Sequence, residues 1–373
     1  MINIKSLNVL AVGDPAVSVY VDPEYNFLDE FKRANNIEVN FDIVSFNNYF
    51  NVLMDSFKEY KYDIVMVAGH LWLKEFVEKG YISELKSKPE TEYNYSDILE
   101  SIRSELELDG KKYLLPSFCD GHILVYRKSE KTRGIMEKIE IDELINYVEK
   151  FDKNNRPFVL KADQSEIFLD ILPYLRGKGL EPFSDTGEFQ LNNEKGIKAL
   201  KNYFKMRDYS RKEVKNYGNQ EVREAIQKNN CELAVTWSGQ LGEVMDQNCI
   251  NQESLVFAYL EKPWKTTWSF ALNSLSQKKE IAEMFMQYIT SKNVDRIVGT
   301  NCGNPTRLSS FKADQEKYRW YKIVLKMIRD SEELPKLANL SELINICSKE
   351  FYAAFIGEIS IKESLDNIEK LIN

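Results

Sequence analysis

Tyr62-Asp63-Ile64-Val65-Met66-Val67-Ala68-Gly69 contains an unbroken apolar run, Ile64 to Val67. A strand with one wet face alternates polar and apolar residues; a continuous run is what a parallel strand covered on both faces carries. Leu71 to Lys79 then reads as a helix with Gly80 as its C′ stop. Upstream, Leu7 to Val12 is another short apolar run. Phe27, Leu28, Phe31 and Ala34 share one helical stripe, which Asn35-Asn36 ends. Ile37, Val39, Phe41 and Ile43 alternate as a half-buried strand, and Phe46, Tyr49, Phe50, Leu53 and Phe57 make a second stripe. The order βαβαβα predicts an α/β class with a largely parallel sheet.

Beyond this opening the rhythm changes. Asp109-Gly110 signals a turn, and Tyr113 to Arg127 looks extended. Pro116 is expected to divide that stretch into two short strands. Helical patterns recur at 141–151, 167–175, 193–207, 219–228 and 281–289, and the tail from about 314 is helical in pattern. Strand-like runs fall at 157–160, 231–237, 255–260 and 268–272. No Gly/Ser/Pro-rich linker separates the halves, which points to two lobes crossed several times by the chain.

Composition narrows the function. A chain of 373 residues suggests two or three domains at about 150 residues each. Fifty basic against 58 acidic residues leave a net charge of −8, the wrong sign for a nucleic-acid binder. The longest uncharged apolar run, Ile64 to Leu73, is interrupted by Gly69 and His70 and falls short of the about 20 residues of a membrane span. Five unclustered cysteines (119, 231, 249, 302, 347) include no C-x-x-C, against a zinc or thioredoxin-type site and in favour of a reducing environment or buried thiols. Met1-Ile2-Asn3-Ile4-Lys5 leads almost directly into a strand-like segment, without the basic and apolar regions of a secretory signal. Walker A, G-x-G-x-x-G, G-x-S-x-G and H-E-x-x-H patterns are absent, so no enzyme activity, cofactor or metal is expected.

Several blocks in order resemble the extracellular solute-binding proteins of ABC importers, in the sugar-binding group that includes maltose-binding protein. They are Phe27 to Ile37; Tyr62 to Gly69 with Trp72-Leu73 and Gly80 to Leu85; Asp109 to Pro116 followed by Leu124 to Lys128; Asn230 to Trp237; Trp268 to Asn273; Ile281 to Thr290 with Gly303-Asn304-Pro305-Thr306-Arg307; and Gly357 to Leu371. The resemblance covers nearly the whole chain. It implies a two-lobe, periplasmic-binding-protein-like (type II) α/β fold with hinge strands between the lobes. Residues 1–115 plus 265–310 would form lobe one and 116–264 plus 311–373 lobe two, with a ligand cleft between them.

Sugars offer hydroxyl edges and apolar ring faces, so a sugar site needs flat aromatics and planar polar groups. Of five tryptophans, Trp72, Trp237, Trp264 and Trp268 fall at or beside predicted loops after strands. Trp237 leads, because it ends a strand just before Ser238-Gly239-Gln240; Trp72 reads equally as the first core contact of its helix, and Trp320 as core. Asp14, in Val12-Gly13-Asp14-Pro15, is a hydroxyl acceptor or a helix cap. Asp120 is a ligand contact near the hinge or part of an Asp-Gly turn. His70 and His122, the two histidines, are placed in predicted cleft loops as ligand hydrogen-bonders rather than metal ligands. Gln164 and Glu166 are weaker candidates.

The resemblance implies a receptor that captures a carbohydrate by hinge closure and, as a monomer, delivers it to the membrane subunits of an ABC transporter. A cytosolic enzyme or pathway protein, or a sensor subunit on the same fold, is the alternative. Location divides likewise: extracytoplasmic after removal of a signal, or cytoplasmic as the cysteines and the missing signal imply.

Overall fold

The computed structural model describes residues 5–86, 93–302 and 304–373. Met1-Ile2-Asn3-Ile4 and Gly303, used in the sequence reading, lie outside the described residues. The principal strands are β1 (Lys5–Val12), β2 (Ile37–Val44), β3 (Ile64–Ala68), β4 (Leu114–Arg127), β5 (Phe158–Val159), β6 (Leu233–Trp237), β7 (Leu255–Leu260) and β8 (Lys265–Asn273). The chain forms two compact units: Met1–Asp120 with Thr266–Tyr321, and Gly121–Lys265 with Lys322–Asn373. It crosses between them within β4, at the start of β8 and after Tyr321.

In the first unit β1 is central. It pairs in parallel with β2, from Lys5↔Ile37 to Val12↔Val44, and with β3 through Val9↔Ile64 and Leu10↔Val65. β8 adds antiparallel to β3, with Trp268 opposite Ala68. Every residue of β3 is fully buried, as its continuous apolar run requires; each such Val or Ile contributes about 1.5–3 kcal/mol of burial. β2 alternates instead, with Ile37 and Val39 buried and Glu38 and Asn40 exposed. The helices are α1 (Pro15–Val21), α2 (Phe27–Asn35), α3 (Phe46–Ser56) and α4 (Gly69–Glu78). α2 ends where Asn36 turns left-handed (φ 56°) and donates its N–H to the Lys32 carbonyl. The helix-cap reading of Asp14 holds at the start of α1: the Asp14 carboxylate accepts the Ala16 N–H at 2.8 Å, and proline occupies the first turn.

The exit segment Asn304-Pro305-Thr306-Arg307 is held by buried polar contacts. Arg307 is fully buried and donates to the carbonyls of Thr290 (3.0 Å) and Asn94 (2.9 Å). Asp295 accepts from the Thr306 amide (2.7 Å) and the Ser310 hydroxyl (2.6 Å).

In the second unit β4 lies between β6 and β7, antiparallel to both, and β5 pairs in parallel with β6. The expected break at Pro116 does not occur: Leu114–Arg127 is one strand. Pairing with both β6 and β7 covers residues 123–126, so the missing proline N–H falls outside that doubly paired stretch. Helix α5 (Ile167–Arg176) and the long α6 (Leu340–Ile356) pack through Phe168 and Phe351, whose rings stack at 6.4 Å and 7°. The tail is helical but interrupted, with no helix assigned over 331–339.

Candidate functional site

Parallel strands β1, β2 and β3 end at Val12, Val44 and Ala68. Two residues past each end stand Asp14, Phe46 and His70. Because β8 runs antiparallel and sets Trp268 opposite Ala68, that indole joins the same edge. The carboxyl ends of parallel strands are where open α/β sheets hold ligands, since loops there are free to vary over a rigid base.

The edge is aromatic. Trp268 is half-buried and meets Phe46 (6.4 Å), Tyr49 (5.7 Å) and Trp72 (5.6 Å) edge-on, and stacks near Phe118 (6.5 Å, 22°). Phe46 is 57% exposed and Phe50 38%. Phe50 lies 5.2 Å from the Trp72 ring. Trp72 is buried inside α4 and stacks on Phe76; it backs the face rather than presenting a ring to solvent. Beside these rings lie Asp14, His70 and Asp120, all partly exposed. Burial pushes the Asp14 carboxyl up to about 7, opposed by the Ala16 amide, while the nearby Asp120 charge adds to the rise. Asp120 and Gly121 both lie within β4, so the Asp-Gly turn does not form.

The second unit carries a similar edge. His122 lies opposite Trp237 in the β4–β6 register. It is a buried strand residue, not the loop residue expected. Trp264 follows the end of β7. The three rings stand nearly perpendicular: His122–Trp237 at 5.0 Å and 79°, His122–Trp264 at 4.9 Å and 69°, Trp237–Trp264 at 5.0 Å and 86°. Gly121 permits this closeness, because a Cβ there would lie 2.7 Å from the Trp264 carbonyl oxygen.

Charged groups support the trio. Trp237 Nε1 donates to Glu166 at 2.8 Å. Lys161, fully buried just past β5, holds its ammonium 4.2 Å over the Trp237 ring and 3.6 Å from Glu166. Asp170 on α5 accepts the Tyr203 hydroxyl at 2.9 Å, and its other oxygen is 3.8 Å from His122 Nδ1. Burial raises Asp170 to about 7 against the Lys161 charge, and holds His122 well below its ordinary value, with Lys161 adding to that effect. His122 is therefore neutral at pH 7. Both of its ring nitrogens and Trp264 Nε1 are buried without a hydrogen-bond partner among the described residues. Unmet buried polar atoms are costly and rare, and three of them gather on this trio.

The structure thus gathers Asp14, His70, Trp72, Asp120 and Trp268 at one edge of the first unit, and His122, Trp237 and Trp264 at one edge of the second. Gln164 joins neither set by a hydrogen bond or ring contact among the described residues. Sequence reading missed Phe46, Phe50 and Phe118, Lys161 and Asp170. Phe46 and Phe50 are spaced i, i+4 beside the buried row Tyr49 and Leu53, a signal that α3 carries two aromatic or apolar rows rather than one. Among the described residues no cluster of three or more His, Cys, Asp or Glu could hold a metal.

Residues 21–294 match the bacterial extracellular solute-binding protein family. The chain belongs to that family. It is a family of binding proteins, not enzymes. Solved structures agree in fold at low identity. Maltose-bound MalE3 of T. maritima superposes with a TM-score of 0.85 at 17% identity, covering 98% of each chain. An ABC transporter solute-binding protein of Agrobacterium radiobacter K84 in complex with ribitol gives 0.87 at 18%, covering 99% of this chain and 98% of that one. Lmo0181 of Listeria monocytogenes with cycloalternan gives 0.81 at 15%, covering 100% and 98%. The α/β, two-lobe periplasmic-binding-protein-like fold follows from these likenesses. No curated protein matches the sequence significantly.

Proposed function

We propose that this chain is the carbohydrate receptor of an ABC importer, working outside the cytoplasmic membrane as a monomer and handing a sugar or polyol to the transporter's membrane subunits. The observation that carries the reading is that each unit gathers aromatic rings and hydrogen-bonding side chains at the carboxyl ends of its parallel strands. Aromatic faces suit the C–H surface of a sugar ring, and carboxylates accept paired hydroxyls. Structural neighbours whose bound ligands are maltose, ribitol and cycloalternan support the ligand class.

In this reading the two units are the lobes. Asp14, His70, Asp120 and Trp268 meet the solute from one; Trp237 meets it from the other. Trp72, Trp264 and the buried His122 back them. Ligand bound to both lobes favours a closed form, and shifts the equilibrium only by its greater affinity for that form. The importer recognises the closed receptor, and ATP chemistry stays in the transporter.

A thermal-shift screen of sugars and polyols tests the ligand class. A solute at 100 times its Kd stabilises the folded state by about 2.7 kcal/mol. The proposal expects at least one carbohydrate to raise the melting temperature saturably, and an entirely silent panel with response to amino acids or peptides instead would refute it.

A further inference from the structure

Away from the strand-end faces, the second unit has a cavity of about 300 Å³ lined by Arg156, Arg207, Lys212 and Lys215, together with Asp208 and Phe355. Four cations against one carboxylate reverse the sign of a chain whose net charge is −8. None of the four lies within ion-pair distance of a carboxylate among the described residues, whereas Lys205, two residues before Arg207, pairs with Glu149.

Both arginines are held in place by backbone acceptors. Arg156 donates one guanidinium N–H to the Asp208 carbonyl at 2.8 Å. Arg207 donates to the Phe355 carbonyl and lies over that residue's ring at 5.6 Å. Arg156 also has a left-handed backbone (φ 50°). Every other non-glycine with positive φ among the described residues is Asn or Asp, apart from Lys262. The left-handed region disfavours a residue with a Cβ, so the Arg156 side chain is delivered here against local preference. Lys212 and Lys215 are i and i+3 of a 3₁₀ turn (Lys212–Asn216) and therefore project on one side.

We propose that this cavity is a phosphate-binding site, separate from the solute-binding faces, that takes the phosphate of a free anion or of a lipid headgroup. A phosphate monoester carries about −1.5 to −2 charges on three acceptor oxygens. That matches two guanidinium forks and two ammonium groups better than a singly charged carboxylate does.

Two arms identify the source, both with the full chain at physiological ionic strength: calorimetry with inorganic phosphate, and co-sedimentation with vesicles of phosphatidylcholine containing phosphatidic acid, whose headgroup is a phosphate monoester, against vesicles of phosphatidylcholine alone. The test variant is Lys212→Glu with Lys215→Glu, two exposed positions, with Lys212→Arg/Lys215→Arg as the conservative partner and circular dichroism to verify folding. Binding in either arm that falls at least tenfold in the Glu variant and survives in the Arg variant supports the site; the arm that binds names the source. Absence of binding in both arms, or a loss smaller than tenfold, overturns it. Sugar binding is expected to be the same in all three proteins, so this outcome is independent of the receptor proposal.

Discussion

Asp14→Asn separates the cost of a binding residue from its use. The Asp14 carboxyl titrates at about 7 in the folded chain against an ordinary 3.8, chiefly through burial. Three units at about 1.4 kcal/mol each give an upper bound of about 4 kcal/mol. The sign follows from linkage. Below about pH 4 the group is protonated in both states and costs nothing; as pH rises toward 7 the unfolded chain ionises first, and stability falls. Asparagine removes the charge and still caps α1, because its Oδ1 accepts the Ala16 N–H as well as aspartate does. Urea unfolding followed by tryptophan fluorescence should show Asp14→Asn more stable by about 2–4 kcal/mol at pH 8 and unchanged at pH 4. Its carbohydrate affinity should fall at least tenfold at pH 8, since an amide offers a hydroxyl pair one acceptor fewer. A variant that is no more stable at pH 8, or equally stabilised at pH 4, would refute the reasoning about desolvation. One that is stabilised yet binds normally would remove Asp14 from the site.

Further outcomes follow from the same contacts. Trp268→Ala should weaken sugar binding by at least tenfold in calorimetry, because it takes away the half-buried ring between Phe46 and Tyr49. Glu166→Ala leaves Trp237 Nε1 and Lys161 short of an acceptor and should cost about 1–3 kcal/mol in urea unfolding, whereas Glu166→Gln, which keeps an acceptor, should cost less. His122 is kept neutral in the fold, so the wild type should lose stability as pH falls below 6.5 and the unfolded chain takes up the proton. That part of the pH dependence should vanish in His122→Phe.

Local signals in this sequence were dependable where the chain itself supplies the cause. Ile64 to Val67 reads as a doubly covered strand because burial on both faces leaves no polar position, and Asn36 ends α2 because asparagine tolerates the left-handed turn. The signals failed where distant pairing decides. Pro116 looks like a strand break in isolation, but whether its missing N–H matters depends on where β6 and β7 begin to pair. Phe46 and Phe50 look like core on a helical wheel, yet the sheet edge leaves them exposed. Lys161 and Asp170 carry no local mark at all; one resembles a surface lysine after a strand and the other a polar point on an amphipathic helix. Only the fold brings them beneath Trp237 and His122. Residue type was informative for the aromatic rings, which have few uses outside packing and stacking, and uninformative for the charged groups that orient them.

The central claim is that a carbohydrate engages both units and favours a closed receptor. Small-angle scattering of the full chain with and without the sugar that most raises its melting temperature tests it most directly. The account predicts a smaller radius of gyration with the sugar, saturating at the same concentration as the thermal shift; an identical scattering profile at saturating sugar would contradict it.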